Sequence, residues 1–202
     1  NNTAFGLAAM IVERISEMPF HEFMRDNVFE PLGMTHSQVR PSAEHIVPNR
    51  SVGYILGADG FDEKKDLGGA VGAGGIYASV VDLQHWAENY RNPVVGNAKI
   101  FEEMMTSFVL DDGEKTDYGY GLMIKEQRGL RRIEHGGADV AHRSQLVLYP
   151  EINAGLTVQS NNANFDSSIA YRLGAAFFGE HMAPEDSEES DFDPDSYDLE
   201  NF

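Results

Sequence analysis

Between residues 118 and 160 the chain switches repeatedly between short β-prone segments and turn-like pieces. The β-prone segments are 118–125, 130–135, 144–149 and 156–160. They are separated by Gln127-Arg128-Gly129, Gly136-Gly137-Ala138-Asp139 and Pro150-Glu151-Ile152-Asn153. Segments this short, joined by turns this tight, form an antiparallel meander. The rest of the chain reads mostly as helices.

Residues 3–15 carry Phe5, Ala8, Ile11, Val12 and Ile15 at helical spacing, with Asn2 or Thr3 as cap. Pro19 suits the first turn of a second helix, striped by Phe20, Phe23, Met24 and Val28. That helix stops at Glu30-Pro31-Leu32-Gly33, because the residue before a proline is pushed out of helical conformation. Residues 35–67 read as irregular, with one short strand at 52–56. The glycine-dense segment 68–75 leads into a helix over 80–90, where Ser79 and Asp82 have capping-box spacing. Residues 100–109 form a further short helix. Residues 167–178 return to helix, with Ile169, Leu173, Ala176 and Phe177 on one side. Helices, then an antiparallel sheet, then a helix make an α+β fold.

With 202 residues, 42% of them hydrophobic, the chain can bury a core without staples, and one domain is expected. It has no cysteine, which excludes disulfides, thiolate metal sites and cysteine nucleophiles. The net charge of -18 repels phosphate backbones and argues against nucleic-acid binding. Nine Asp and Glu fall in residues 183–202 with no Lys or Arg, leaving -9 for the rest. That stretch reads as an acidic tail or linker beyond a body of residues 1–182. No apolar run reaches the ~20 residues of a membrane span, and no leader opens the sequence.

Most chemical motifs are missing. The glycine segment contains no clean G-x-G-x-x-G and no strand precedes it, so no cofactor is expected. His21-Glu22 lacks the second histidine of a metal helix, and His135 and His142 are split by a turn, so no metal is expected. There is no G-x-S-x-G, and no serine stands three residues before any lysine. His135-Gly136-Gly137 is the sharpest local feature. A histidine at a strand end can offer its imidazole to a substrate, and paired glycines leave room for a close backbone approach.

Taken in order, several stretches resemble the serine β-lactamase-like family, including class C β-lactamases, penicillin-binding proteins and esterase relatives. Asn1-Asn2-Thr3 with the following helix resembles the Y-x-N motif entered one residue late. Phe29-Glu30-Pro31-Leu32-Gly33-Met34 resembles F-x-P-L-G-M. Gly72 to Ser79 with Asp82-Leu83 resembles A-G-G-L-x-S-x-x-D-L. Tyr118-Gly119-Tyr120-Gly121-Leu122, His135-Gly136-Gly137 and Leu146 to Glu151 resemble the terminal strands, with His135-x-Gly137 where other members carry K-T-G. The resemblance spans residues 1–180.

It implies a β-lactamase/transpeptidase-like fold and acyl transfer through a serine ester. It also implies catalytic roles for Asn2 and His135, substrate binding by Gly137, and an oxyanion-stabilising N–H from Ala138. The motif tyrosine and the S-x-x-K serine and lysine are absent, as are the N-terminal helix and first strands. The expectation is therefore a C-terminal portion of a serine hydrolase, inactive alone, partnered by the N-terminal portion of its domain and by a small-molecule or peptide acyl substrate. The alternatives are a non-catalytic binding module on the same fold, or an unrelated α+β interaction domain with a chance His-Gly-Gly.

Overall fold

The computed structural model describes residues 1–65 and 71–185. The first helix, α1 (Asn2–Ser16), is capped by Asn1, whose Oδ1 accepts the Ala4 N–H at 3.3 Å, one residue earlier than expected. One side of α1 seats Ala9 against the Gly72 turn, where an added Cβ would lie 2.8 Å from the Ala9 methyl. Pro19 stands just before α2 (Phe20–Met24), outside rather than inside the first turn. The expected continuous stripe then widens into a π-helical turn, Arg25–Phe29, which rotates Phe29 into the core.

Strand β1 (Gln38–Val39) pairs with β4 (Ile76–Tyr77), tying the segment after α2 to the glycine turn. Within the stretch expected to be irregular, residues 35–65 are more ordered than expected. They contain a hairpin of β2 (Gly53–Gly57) and β3 (Gly60–Lys64). β3 is exposed throughout and mostly charged, so no alternating apolar pattern marks it. Helix α3 (Val80–Arg91) starts at Ser79, whose hydroxyl accepts the Asp82 N–H as the spacing predicts. Helix α4 (Ala98–Met104) ends well before residue 109.

The meander forms one four-stranded antiparallel sheet: β5 (Met123–Gln127), β6 (Leu130–Asp139), β7 (His142–Tyr149) and β8 (Ala154–Ser160), in that order. Residues 118–121, expected within the first strand, are instead a turn. Helix α5 (Ile169–Phe178) closes the described fold.

Alternation along the strands sends side chains to two covered faces. Ile133, Leu146 and Leu148 meet Trp86, Ala87 and Tyr90 of α3 on one face. Leu130, Val147 and Tyr149 meet Ala170 and Phe178 of α5 on the other, together with Met182. Ile133, Val147 and Tyr149 are fully buried, and each such side chain contributes about 1.5–3 kcal/mol of transfer free energy. The helices packed on an antiparallel sheet confirm the α+β class. Among the described residues, no helix is long and apolar enough to cross a membrane. The acidic stretch expected as a tail lies outside the described residues from position 186 onwards. Ala183 is hydrogen-bonded to Arg128 at the β5–β6 turn.

Candidate active site

The site is built on the half of β6 that outruns β5. Met123, the first residue of β5, pairs with Glu134, so residues beyond Glu134 have a strand partner on the β7 side only. Ile124 donates its N–H to the Asp117 carbonyl, away from β6. Its partner Ile133 therefore turns its own backbone groups towards β7, and His135 and Gly137 follow by alternation. Gly136 and Ala138 consequently face the open side. The same parity reappears at the far edge, where Asn161 accepts the Tyr54 N–H on the outer side of β8.

His135, expected at a strand end, lies in the middle of β6, at the first position beyond the reach of β5, and is exposed. Its Nδ1 lies 2.7 Å from the Gly136 carbonyl, which can only accept, so Nδ1 carries the proton. Its Nε2 lies 3.4 Å from the Tyr118 hydroxyl, and the two rings meet edge to face. Gly137 pairs with Ser144, and an added Cβ there would collide with the Ser144 hydroxyl. The tip of the hairpin is Val140, with φ at 48°. A β-branched residue rarely adopts that conformation.

Asn2 occupies the first turn of α1 and is exposed. No hydrogen bond joins it to His135. The link between them is indirect: the Phe5 ring, one turn on, lies 3.5 Å from where a side chain at Gly121 would begin. Gly121 ends the 118–121 turn that presents Tyr118. The structure thus groups His135, Gly137 and Ala138 on one strand and brings the start of α1 to the neighbouring turn. Tyr118 and Ser144 were not singled out by sequence reasoning. Tyr118-Gly119-Tyr120-Gly121 was the available signal for the first.

The 118–121 turn is pressed onto the end of α4. An added Cβ at Gly119 would collide with the Met104 carbonyl, so only glycine fits. Between this turn and α4 lies a cavity of about 690 Å³, lined by residues including Glu102, Phe108, Tyr118 and Tyr120.

Other candidates are structural. Ser51 Oγ sits 2.9 Å from His142 Nε2, but no carboxylate orients that imidazole among the described residues. Asp82 is 2% exposed and accepts hydrogen bonds from Ser37 Oγ at 2.7 Å and the His36 N–H at 2.8 Å. Burial works to raise its carboxyl, but bonds from Ser37, His36 and Ser79 outweigh burial and hold it below the usual range. His85 is tied to the Leu32 carbonyl at 2.8 Å. No group of three His, Asp or Glu among the described residues is arranged to hold a metal ion.

The beta-lactamase family model matches residues 1–177. Penicillin-binding protein 4* of Bacillus subtilis is 25% identical over 200 residues, covering 89% of this chain and 44% of that protein. The octameric penicillin-binding protein homologue from Pyrococcus abyssi superposes with a TM-score of 0.79 at 28% identity, covering 92% of this chain and 43% of that one. D-amino acid amidase from Ochrobactrum anthropi shares the fold at a TM-score of 0.72 and 21% identity, covering 89% and 58% of the two chains. The chain spans less than half the length of the penicillin-binding proteins it matches most broadly. With a family model covering most of its length and a fold that agrees, this chain belongs to the beta-lactamase family.

Proposed function

We propose that this chain supplies the substrate-binding strand and part of the catalytic machinery of a serine hydrolase acting on an ester, amide or β-lactam. In this reading a serine from S-x-x-K attacks the acyl carbonyl, the leaving group departs with a proton, and water hydrolyses the ester. The Ala138 N–H shares the oxyanion hole, Gly137 admits the substrate backbone, His135 contacts the reacting region, and Asn2 orients the substrate. The carrying observation is that Ala138 turns its backbone groups to the open side of β6, next to an exposed imidazole. A donor so placed contributes a few kcal/mol when charge develops in front of it. Histidine in place of the usual lysine favours an esterase or peptidase over a β-lactamase.

The nucleophile, its lysine and the motif tyrosine come from an N-terminal portion of the same domain. Two surfaces support this. Leu7, Met10, Ile11 and Ile15 leave an apolar stripe of α1 exposed. Among the described residues β8 is the last strand of its sheet, and Gly155, Thr157 and Gln159 turn their backbone groups outward from it.

The test is labelling with a fluorophosphonate, with and without an upstream fragment carrying S-x-x-K and the tyrosine. The chain alone stays unlabelled, and the reconstituted pair labels stoichiometrically. A stoichiometric adduct on the lone chain would overturn the reading. A pair that binds ligands but never labels would establish the non-catalytic binding module instead.

A further inference from the structure

The cavity between α4 and the 118–121 turn has walls of two kinds. Three hydroxyls on its lining are already engaged in holding the loop. Thr106 Oγ1 donates to the Glu102 carbonyl at 2.7 Å, Ser107 Oγ accepts the Asp117 N–H at 3.0 Å, and Thr116 Oγ1 donates to the Phe108 carbonyl at 3.0 Å. What remains for a ligand is aromatic surface, the Tyr120 hydroxyl and negative charge. Phe108 and Tyr120 are 65% and 69% exposed, unusual for rings of that size. Tyr118 forms the side nearest His135.

Among the described residues, no Lys or Arg lines the cavity. Glu103 is paired with Lys99 at 3.9 Å on the helix surface, whereas Glu102 has no ion pair among the described residues. Glu102 therefore presents an uncompensated carboxylate beside aromatic faces, and the Gly119–Met104 contact fixes the loop so that the cavity is preformed. An aromatic wall beside a free carboxylate favours a cation over a neutral group of the same shape, through ring quadrupole and Coulomb attraction together.

We propose that this cavity binds a cationic group of the substrate, an ammonium or guanidinium carried a few bonds from the acyl carbonyl. The proposal deepens the acyl-transfer reading, since Tyr118 joins the cavity wall to His135. It makes the preferred substrate a cationic ester or amide.

The test uses the purified chain and two probes, benzylammonium and its neutral isostere benzyl alcohol, followed by NMR shift titration. Benzylammonium moves the Phe108, Tyr118 and Tyr120 resonances and binds about fivefold or more tightly than the alcohol. Glu102→Gln, a change at an exposed helix position, cuts that preference to about twofold or less while the melting temperature holds. A matched Glu63→Gln change on the exposed β3 strand leaves the preference intact. Equal affinity for the two probes, shifts confined to another surface, or a preference that survives Glu102→Gln overturns the proposal. Charge-selective binding without labelling of the reconstituted pair rejects the acyl-transfer reading and keeps the cation site. Labelling without charge selectivity does the reverse.

Discussion

The hydroxyl of Tyr118 lies 3.4 Å from Nε2 of His135, on the ring nitrogen left free by the bond from Nδ1 to the Gly136 carbonyl. The imidazole is thereby held as the Nδ1–H tautomer, with its basic nitrogen turned to the turn that also lines the cavity. On the proposed acyl-transfer reading, His135→Ala in the reconstituted pair lowers kcat/KM more than about tenfold, or about 1.4 kcal/mol of transition-state stabilisation. Tyr118→Phe removes only a long hydrogen bond and lowers kcat/KM by about two- to fivefold, the scale of a weak bond. Steady-state kinetics on both variants checks this, and unchanged turnover in a folded His135→Ala protein rejects the strand-motif assignment.

Asp82 fastens the segment after α2 to the start of α3. Asp82→Ala leaves the Ser37 hydroxyl and His36 N–H without their acceptor and costs about 2–3 kcal/mol in denaturant unfolding. Its carboxyl is held below its ordinary value in the folded chain, so its stabilising contribution is complete above about pH 4, the unfolded value, and fades as pH falls through the lower folded value. Urea titrations across that acid window should show the wild type losing stability that Asp82→Asn never had.

Arg132 and Glu134 form a close pair under α5, with Nε and Oε2 2.8 Å apart and the guanidinium stacked 3.8 Å over the Tyr171 ring. Removing one partner leaves a largely buried charge, so Glu134→Ala costs about 3 kcal/mol. Replacing both with apolar residues of similar volume costs less than the single change. A double-mutant cycle in denaturant measures the difference, and additive single changes would show that the pair is not coupled.

Gly174 lets α5 approach the sheet. An added Cβ would collide with the hydroxyl of Tyr149, a ring fully buried and held by Gln127 at 2.8 Å. Gly174→Ala therefore costs about 3 kcal/mol despite its better helix propensity. Thermal unfolding reads the loss, and an unchanged melting temperature would mean that α5 slides freely on the sheet.

The strands of the meander were legible because β-prone runs and turn residues alternate at short intervals, but Gly136-Gly137-Ala138-Asp139, read as a turn, continues β6 through pairing with β7, and the turn falls at Val140 instead. The Ser79 cap on Asp82 was equally plain. The β3 strand was not, because Phe61-Asp62-Glu63-Lys64 lies exposed on a hairpin whose pairing is decided by the turn rather than by burial. The turn at residues 118–121 was hidden for the opposite reason: Tyr118 and Tyr120 favour strands, but Gly119 must fit under the Met104 carbonyl. His135 and Gly137 could be named from sequence alone, whereas the contact with Tyr118 could not, since it depends on that turn. The open side of β6 was invisible because it arises from where β5 begins.

The three hairpin connections of the sheet are unequal, and the inequality sets an order of assembly. Arg128 and Gly129 join β5 to β6 with φ of 50° and 86°, the left-handed pair that a two-residue turn prefers, and glycine accepts its share without strain. Pro150–Ile152 and Asn153 close β7 to β8 with residues suited to their conformations. Val140 sits at φ 48° between β6 and β7, where its branched side chain resists the turn. The outer hairpins can therefore close early from local contacts, and the central β6–β7 pairing is the late step. Mutations at Gly129 should slow folding, whereas Val140→Gly should mainly accelerate the final pairing, a difference that refolding kinetics resolves. The half of β6 that carries the candidate site, partnered by β7 alone, would then be the last to be paired.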